Sequence, residues 1–295
     1  MAGSRDKSTF FCDSVGDCAG LAAKSLIQNE GKIALLCYIC LQTFEMDIRR
    51  YIPNLLTLLN LFSGCVALVF AFDRQFGFAL FFVALGIFFD FFDGFFARLF
   101  RVSGPLGVQL DSLADMVTSG VVPGVTMFYM MTAALHKHVP EHLDLKNPYL
   151  LFCFLAFLIT LGACYRLAKF NIDTRQTNSF IGLPTPANCL FIVSLPVVRN
   201  TTDSIVIMEA LLNPYFLLAI TLFSTWIMNA ELPLFSLKIK KFDVRAYALQ
   251  FFFLAVCGVL LLVFWVTALP LIILFYILLS VARNKLVSDH KATGA

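Results

Sequence analysis

Phe88-Phe89-Asp90-Phe91-Phe92-Asp93-Gly94-Phe95-Phe96-Ala97-Arg98 is the stretch that decides the fold. Two carboxylates stand in a run of phenylalanines, inside an apolar segment that extends from residue 76 to residue 100. A second apolar segment follows a short polar link. Near its start, Gly107-Val108-Gln109-Leu110-Asp111-Ser112-Leu113-Ala114-Asp115 adds two more carboxylates. A spanning helix needs about 20 mostly apolar residues, and both segments reach that length. Acids at such positions are costly to bury and point to function.

The rest of the chain agrees with a membrane reading. Of 295 residues, 59% are apolar and 14% charged, whereas soluble domains carry about 45–50% and about 25%. Apolar segments recur at 52–72, 76–100, 107–134, 149–170, 183–198, 205–229, 247–267 and 269–286. The expected fold class is therefore all-α, a polytopic transmembrane helical bundle of about eight spans. The last two are divided at Ala268-Leu269-Pro270, which predicts a tight hairpin. A net charge of +3 without a basic stripe argues against nucleic acid as a partner. The nine cysteines show no zinc-like pairing; most stand alone in apolar runs, and the Cys37/Cys40 pair has no second pair to complete a metal site.

Arg49, Arg50, Arg98, Arg101, Arg166, Lys169, Arg175, Lys238, Lys240, Lys241, Arg245, Arg283, Lys285 and Lys291 fall on one side of this plan. Only Arg74, Lys137, Lys146 and Arg199 fall on the other. The positive-inside rule then predicts an integral protein of the cytoplasmic membrane with both termini in the cytoplasm. Residues 1–45 contain no span and no cleavage-site pattern, and are expected to be a poorly ordered N-terminal extension or an upstream extension of the reading frame. Met46-Asp47-Ile48-Arg49-Arg50 reads as the start of the transmembrane domain, 46–290.

Helical geometry brings the acids together. At about 100° per residue, Asp90, Asp93, Gly94, Ala97 and Arg101 share one narrow face, and phenylalanines fill the remainder. On the next helix Gly107, Asp111, Ala114, Asp115 and Thr118 share a face in the same way. Arg101-Val102-Ser103-Gly104-Pro105 makes the two helices antiparallel neighbours. All four carboxylates then lie within roughly 15 Å of the cytoplasmic surface at 1.5 Å per residue. Bare, they would repel one another. Clustered carboxylate oxygens suit Mg2+ or Mn2+, and two ions can clamp a pyrophosphate. The other readings are a packed polar set and an ion or proton transporter, whose acids would lie nearer the midplane and on more helices.

The pattern Asp90-x2-Asp93-Gly94-x2-Ala97-Arg98-x8-Gly107-x3-Asp111-x3-Asp115 is similar to the complete motif of the CDP-alcohol phosphotransferases. The resemblance implies that Asp90, Asp93 and Asp111 ligate metal. It implies that Asp115 is the catalytic base with access to the second ion. Gly94, Ala97, Arg98 and Gly107 would line the nucleotide site, together with Asn54 and Thr57 from Pro53-Asn54-Leu55-Leu56-Thr57. The stretches Asp111 to Gly124, Arg166 to Asn171 and Phe180 to Ala187 resemble the membrane-embedded, serine-using members of that family. Arg166, Lys169, Asn171, Pro184 and Thr185 are the candidates for holding the acceptor or a lipid phosphate; Arg166 and Lys169 also read as ordinary membrane-boundary anchors.

The resemblance further implies a six-helix core with two added C-terminal helices, a homodimer, and an active site open to the cytoplasm. The implied reaction transfers the phosphatidyl group from CDP-diacylglycerol to the hydroxyl of L-serine, giving phosphatidylserine and CMP. A sister activity on glycerol phosphate or inositol phosphate is the alternative within the family.

Overall fold

The computed structural model describes residues 51–102, 104–138, 145–172, 180–234 and 248–293. The expected N-terminal extension and its boundary at Met46 lie outside them. The described residues from Pro53 onward belong to one compact unit.

Main-chain polar groups within hydrocarbon must be satisfied inside their own segment, and the described chain is accordingly helical. Helix α1 is Tyr51–Phe72, with Pro53 in its first turn, where a missing N–H is harmless. A tight turn through Arg74, at φ 59°, reverses the chain into α2, Phe76–Phe100. Arg101 ends α2 in the left-handed conformation; its N–H reaches Arg98 O and that of Val102 reaches Ala97 O. That pair of bonds is a Schellman cap built without glycine. Pro105 then opens α3, Pro105–Ala134.

Helix α3 is not uniform. Its middle, Met116–Val121, is a π-helical turn that begins directly after Asp115. Pro123 lies just beyond and cannot donate to the carbonyl four residues back, so the ladder rearranges where that bond would have been. The Thr160 hydroxyl of the neighbouring helix donates to the Gly120 carbonyl within the turn at 2.9 Å.

Helix α4, Pro148–Ile172, starts on Asn147, whose side chain caps the N–H groups of Tyr149 and Leu150, and tightens to a 3-10 turn at Phe154–Phe157. Helix α5 is Thr185–Thr201. The expected span 205–229 is broken: α6, Ile205–Leu211, meets α7, Pro214–Asn229, at 72° across the Asn213-Pro214 cap. Helix α8, Ala248–Phe264, and α9, Leu269–Thr293, are joined by the turn Trp265–Ala268. Ring centroids of Phe253 and Phe275 lie 5.9 Å apart, which only an antiparallel hairpin allows. The reversal sits at Trp265, at φ 51°, a few residues before the Leu269-Pro270 position expected for it.

The eight expected segments thus all appear as helix, one of them broken. Among the described residues five helical stretches are long and apolar enough to span, or six if the bent α6–α7 pair is one crossing, with the α8–α9 hairpin counted once. The one strand pairing among the described residues was not expected: Phe180–Ile181 pairs antiparallel with Pro233–Leu234. It ties the α4–α5 link to the α7–α8 link beside Gly182, whose φ of 73° carries the turn.

Small residues let the helices touch. Ala67, Ala71 and Ala79 are fully buried, and a Cβ on Gly64 would land on the Thr118 hydroxyl. Close backbone approach of this kind is how helices associate in lipid, where apolar burial supplies little drive. The large apolar side chains of α1, α2 and the hairpin, including Phe62, Phe78, Phe81, Phe91 and Leu262, face outward.

Candidate active site

The acidic face forms as helical periodicity requires. Asp90 and Asp93 come from the second half of α2, Asp111 from the first turns of α3. Each offers a carboxylate oxygen, and the three oxygens lie within 4.8 Å of one another. Asp93 is 6% exposed, and Asp90 and Asp111 are partly buried. Asp111 Oδ1 is buried with no hydrogen-bond donor. Three close carboxylates with an orphaned oxygen are unfavourable as they stand and fit a divalent cation.

Asp115 stands apart from that three-oxygen group. It is held one turn deeper along α3, where the Asn60 amide donates to its Oδ1 at 3.1 Å. The Arg166 guanidinium of α4 acts on it through space. Arg166 is only 9% exposed, and its Nε has no partner. A buried guanidinium with an unpartnered Nε suits an anionic group arriving from outside.

The other sequence-predicted residues divide into two sets. Thr57 reaches the cluster, donating to Asp93 Oδ2 at 2.5 Å. Asn54 is half-buried, and its Oδ1 lies 3.6 Å from where a Cβ on Gly107 would project. Gly94 borders open space; the first atom beside it is Arg98 Nη2, at 3.9 Å. Ala97 is half-buried one turn on, and the exposed Arg98 folds back to donate to the Gly94 carbonyl at 2.8 Å. Small side chains thus line the chain beside the acids at Gly94 and Ala97, with open space at Gly94. Asn171 exchanges hydrogen bonds with Ser112, the neighbour of Asp111, and so stands beside the cluster. Lys169 is not free: its Nζ pairs with Glu231 at 3.5 Å. Pro184 and Thr185 open α5 beneath the two-stranded ladder, with Thr185 buried and Leu183 N bonded to Ile227 O.

Sequence reasoning missed Asn60. Its signal was available: a lone amide in the apolar run Leu55–Phe62, three residues after Thr57 and hence on the same side of α1.

Fold and site together define a helical integral membrane protein whose clustered carboxylates, Asp90, Asp93 and Asp111, can hold a divalent cation. The chain belongs to the CDP-alcohol phosphatidyltransferase family, whose profile matches residues 50–227. That match contains the acids, Asn60 and Arg166. The chain is 33% identical over 148 residues to the CDP-diacylglycerol–serine O-phosphatidyltransferase of Bacillus subtilis, covering 49% of this chain and 76% of that protein. Its counterpart of the same name from Helicobacter pylori strain J99 is 31% identical over 150 residues, 50% of this chain and 58% of that one. The Saccharomyces cerevisiae protein of that name is 30% identical over 168 residues, 52% and 55% of the two lengths. The matched region is thus about half of this chain and little more than half of the Helicobacter and yeast relatives.

Proposed function

We propose that this protein transfers the phosphatidyl group of CDP-diacylglycerol to the hydroxyl of L-serine, releasing CMP. The observation that carries the reaction class is the grouping of Asp90, Asp93 and Asp111 within 4.8 Å, with a fourth acid, Asp115, held separately. Serine as acceptor is supported by the relatives named above and by buried Arg166, whose unpaired Nε suits the carboxylate of an amino acid.

Asp90, Asp93 and Asp111 would hold Mg2+ or Mn2+, two ions if Asp115 shares the second, and the metal supplies charge neutralisation to the pyrophosphate. The nucleotide lies along Gly94, Ala97 and Gly107, where small residues let it approach the backbone, with Asn54 and Arg98 beside it. Thr57, already engaged with Asp93, supports the ligand set instead of the base. Asp115 accepts the proton as the serine oxygen attacks the phosphorus that bears the diacylglycerol. The bond from that phosphorus to the bridging oxygen breaks, and CMP leaves with the bridging oxygen. Arg166 and Asn171 orient serine, while Lys169 is drawn off by Glu231.

A site facing the cytoplasm, both termini on that side, and a homodimer complete the proposal. Labelling of single cysteines from either side of the membrane and crosslinking of the purified protein check these points.

The deciding experiment supplies purified protein with metal, CDP-diacylglycerol and one acceptor at a time, and reads CMP. CMP is expected with L-serine and hardly at all with glycerol 3-phosphate or inositol phosphate. Turnover with a phosphorylated acceptor and none with serine overturns the acceptor assignment. No CMP with any acceptor overturns the reaction.

A further inference from the structure

We infer that Asn60 is the positioning residue for the Asp115 carboxylate: its amide fixes one carboxylate oxygen so that the other is presented to the reacting hydroxyl. This inference rests on the reading of Asp115 as the base.

The geometry starts from an amide with no exposure at all. Asn60 Nδ2 donates to Asp115 Oδ1 at 3.1 Å, across 55 residues of sequence. The amide orientation follows from chemistry. A carboxylate can only accept, so the reverse orientation would set two acceptors against each other. What remains is Asn60 Oδ1, buried and without a donor. An unsatisfied buried carbonyl costs free energy, and one that persists calls for an explanation. Here the explanation is the other end of the same amide.

The side chain is also boxed in. A Cβ on Gly86 of α2 would come within 2.9 Å of Asn60 Oδ1 and within 2.9 Å of Thr118 Cγ2. The Thr118 hydroxyl, three residues beyond Asp115 and inside the π turn, donates to the main-chain carbonyl of Asn60 at 3.2 Å and so fixes the backbone that carries the amide. Asn60 is therefore gripped from α2 and α3 at once. The Asp115 carboxylate cannot rotate without losing its donor.

The choice of an amide has a chemical reason. A lysine or arginine at this position would orient Asp115 equally well, but an ion pair would hold the carboxylate's electrons and weaken it as a base. With Arg166 already acting on Asp115 through space, a neutral N–H orients the carboxylate without adding a second cation. Thr57, one turn earlier on α1, does the same for Asp93. Helix α1 thus gives one neutral donor to an acid of α2 and one to an acid of α3.

The test is steady-state CMP release by Asn60→Ala in the full chain, with metal saturating and each substrate varied in turn. A positioning residue lost from beside a functional group typically costs about 10–100-fold. That loss is expected in kcat, with KM for CDP-diacylglycerol and for the acceptor staying within about threefold, the pattern of a contact that acts on the chemical step. Asn60→Ser fills more of the space and gives the same reading should the alanine variant not fold. Gly86→Ala, which presses on the amide and touches no acid, should lower kcat in the same way. A kcat within about twofold of the parent in the folded Asn60 variants overturns the inference. So does a loss carried by the CDP-diacylglycerol KM. Failure of the parent protein to release CMP would instead overturn the proposed reaction.

Discussion

Thr57→Val isolates the support under one metal-ligand candidate. Thr57 is 3% exposed and donates to Asp93 Oδ2 at 2.5 Å. Valine keeps the branched shape and deletes only the hydroxyl. A hydrogen bond to a charged group contributes about 1.5–3 kcal/mol, and about 1.4 kcal/mol is a factor of ten. The expected weakening of metal binding is therefore roughly 10–150-fold. One effect opposes it, because a carboxylate freed from its donor gives its electrons to a cation more readily. Asp93 is 6% exposed, however, and the valine methyl would occupy the space in which water could replace the hydroxyl. The freed oxygen is left desolvated and able to swing from the other two, so the loss of placement should win. The assay is CMP release against Mg2+ or Mn2+ concentration. The half-saturating metal concentration should rise at least about tenfold, with most of the turnover recovered at saturation. Thr57→Ser, which keeps the hydroxyl, should stay near the parent. An unchanged metal titration in the folded valine variant would refute the reasoning.

Replacing Asp90, Asp93 or Asp111 by Asn should lower activity at least ~100-fold by removing a charged ligand. Asp115→Asn should retain metal-dependent nucleotide affinity better than turnover, so an equal collapse of affinity in all four variants would argue against a separate base. Gly182→Ala places a Cβ onto the Met228 carbonyl at a φ of 73°. Strain and overlap together should cost about 2–5 kcal/mol, seen as a lowered unfolding midpoint in detergent; an unchanged midpoint would show that the ladder beside Gly182 gives way freely.

The helices were legible because lipid leaves the backbone few options. An apolar run of the right length must satisfy its own N–H and C=O groups, so 52–72 and 76–100 appear almost residue for residue as α1 and α2. The breaks were harder to place. Asn213-Pro214 inside the run 205–229 carried the signal for the bend, since the asparagine caps a new helix and the proline opens it. Pro123 carried the signal for the π turn, but a proline states only that a bond is missing, and tertiary contacts such as Thr160 to Gly120 decide how the helix absorbs the loss. The pairing of Phe180–Ile181 with Pro233–Leu234 had no local signal, for two residues have no period.

The site divides along the same line. The acids repeat at helical spacing on two adjacent helices, so arithmetic on consecutive residues was enough to converge Asp90, Asp93 and Asp111. Their supports come from elsewhere: Thr57 lies 36 residues from Asp93, and Asn60 lies 55 from Asp115. No periodicity connects residues so far apart. A different rule does, because a polar side chain buried in hydrocarbon must find a partner, and the available partners are the few other polar groups at the same depth. Thr57 and Asn60 are neighbours on one side of α1, and Asp93 and Asp115 stand on the helices packed beside it. Matching the polar residues of one apolar run to those of the next, depth by depth, would have joined both pairs. It would also have joined Thr57 to Asp93, a contact that the expectation of a nucleotide-lining role did not contain.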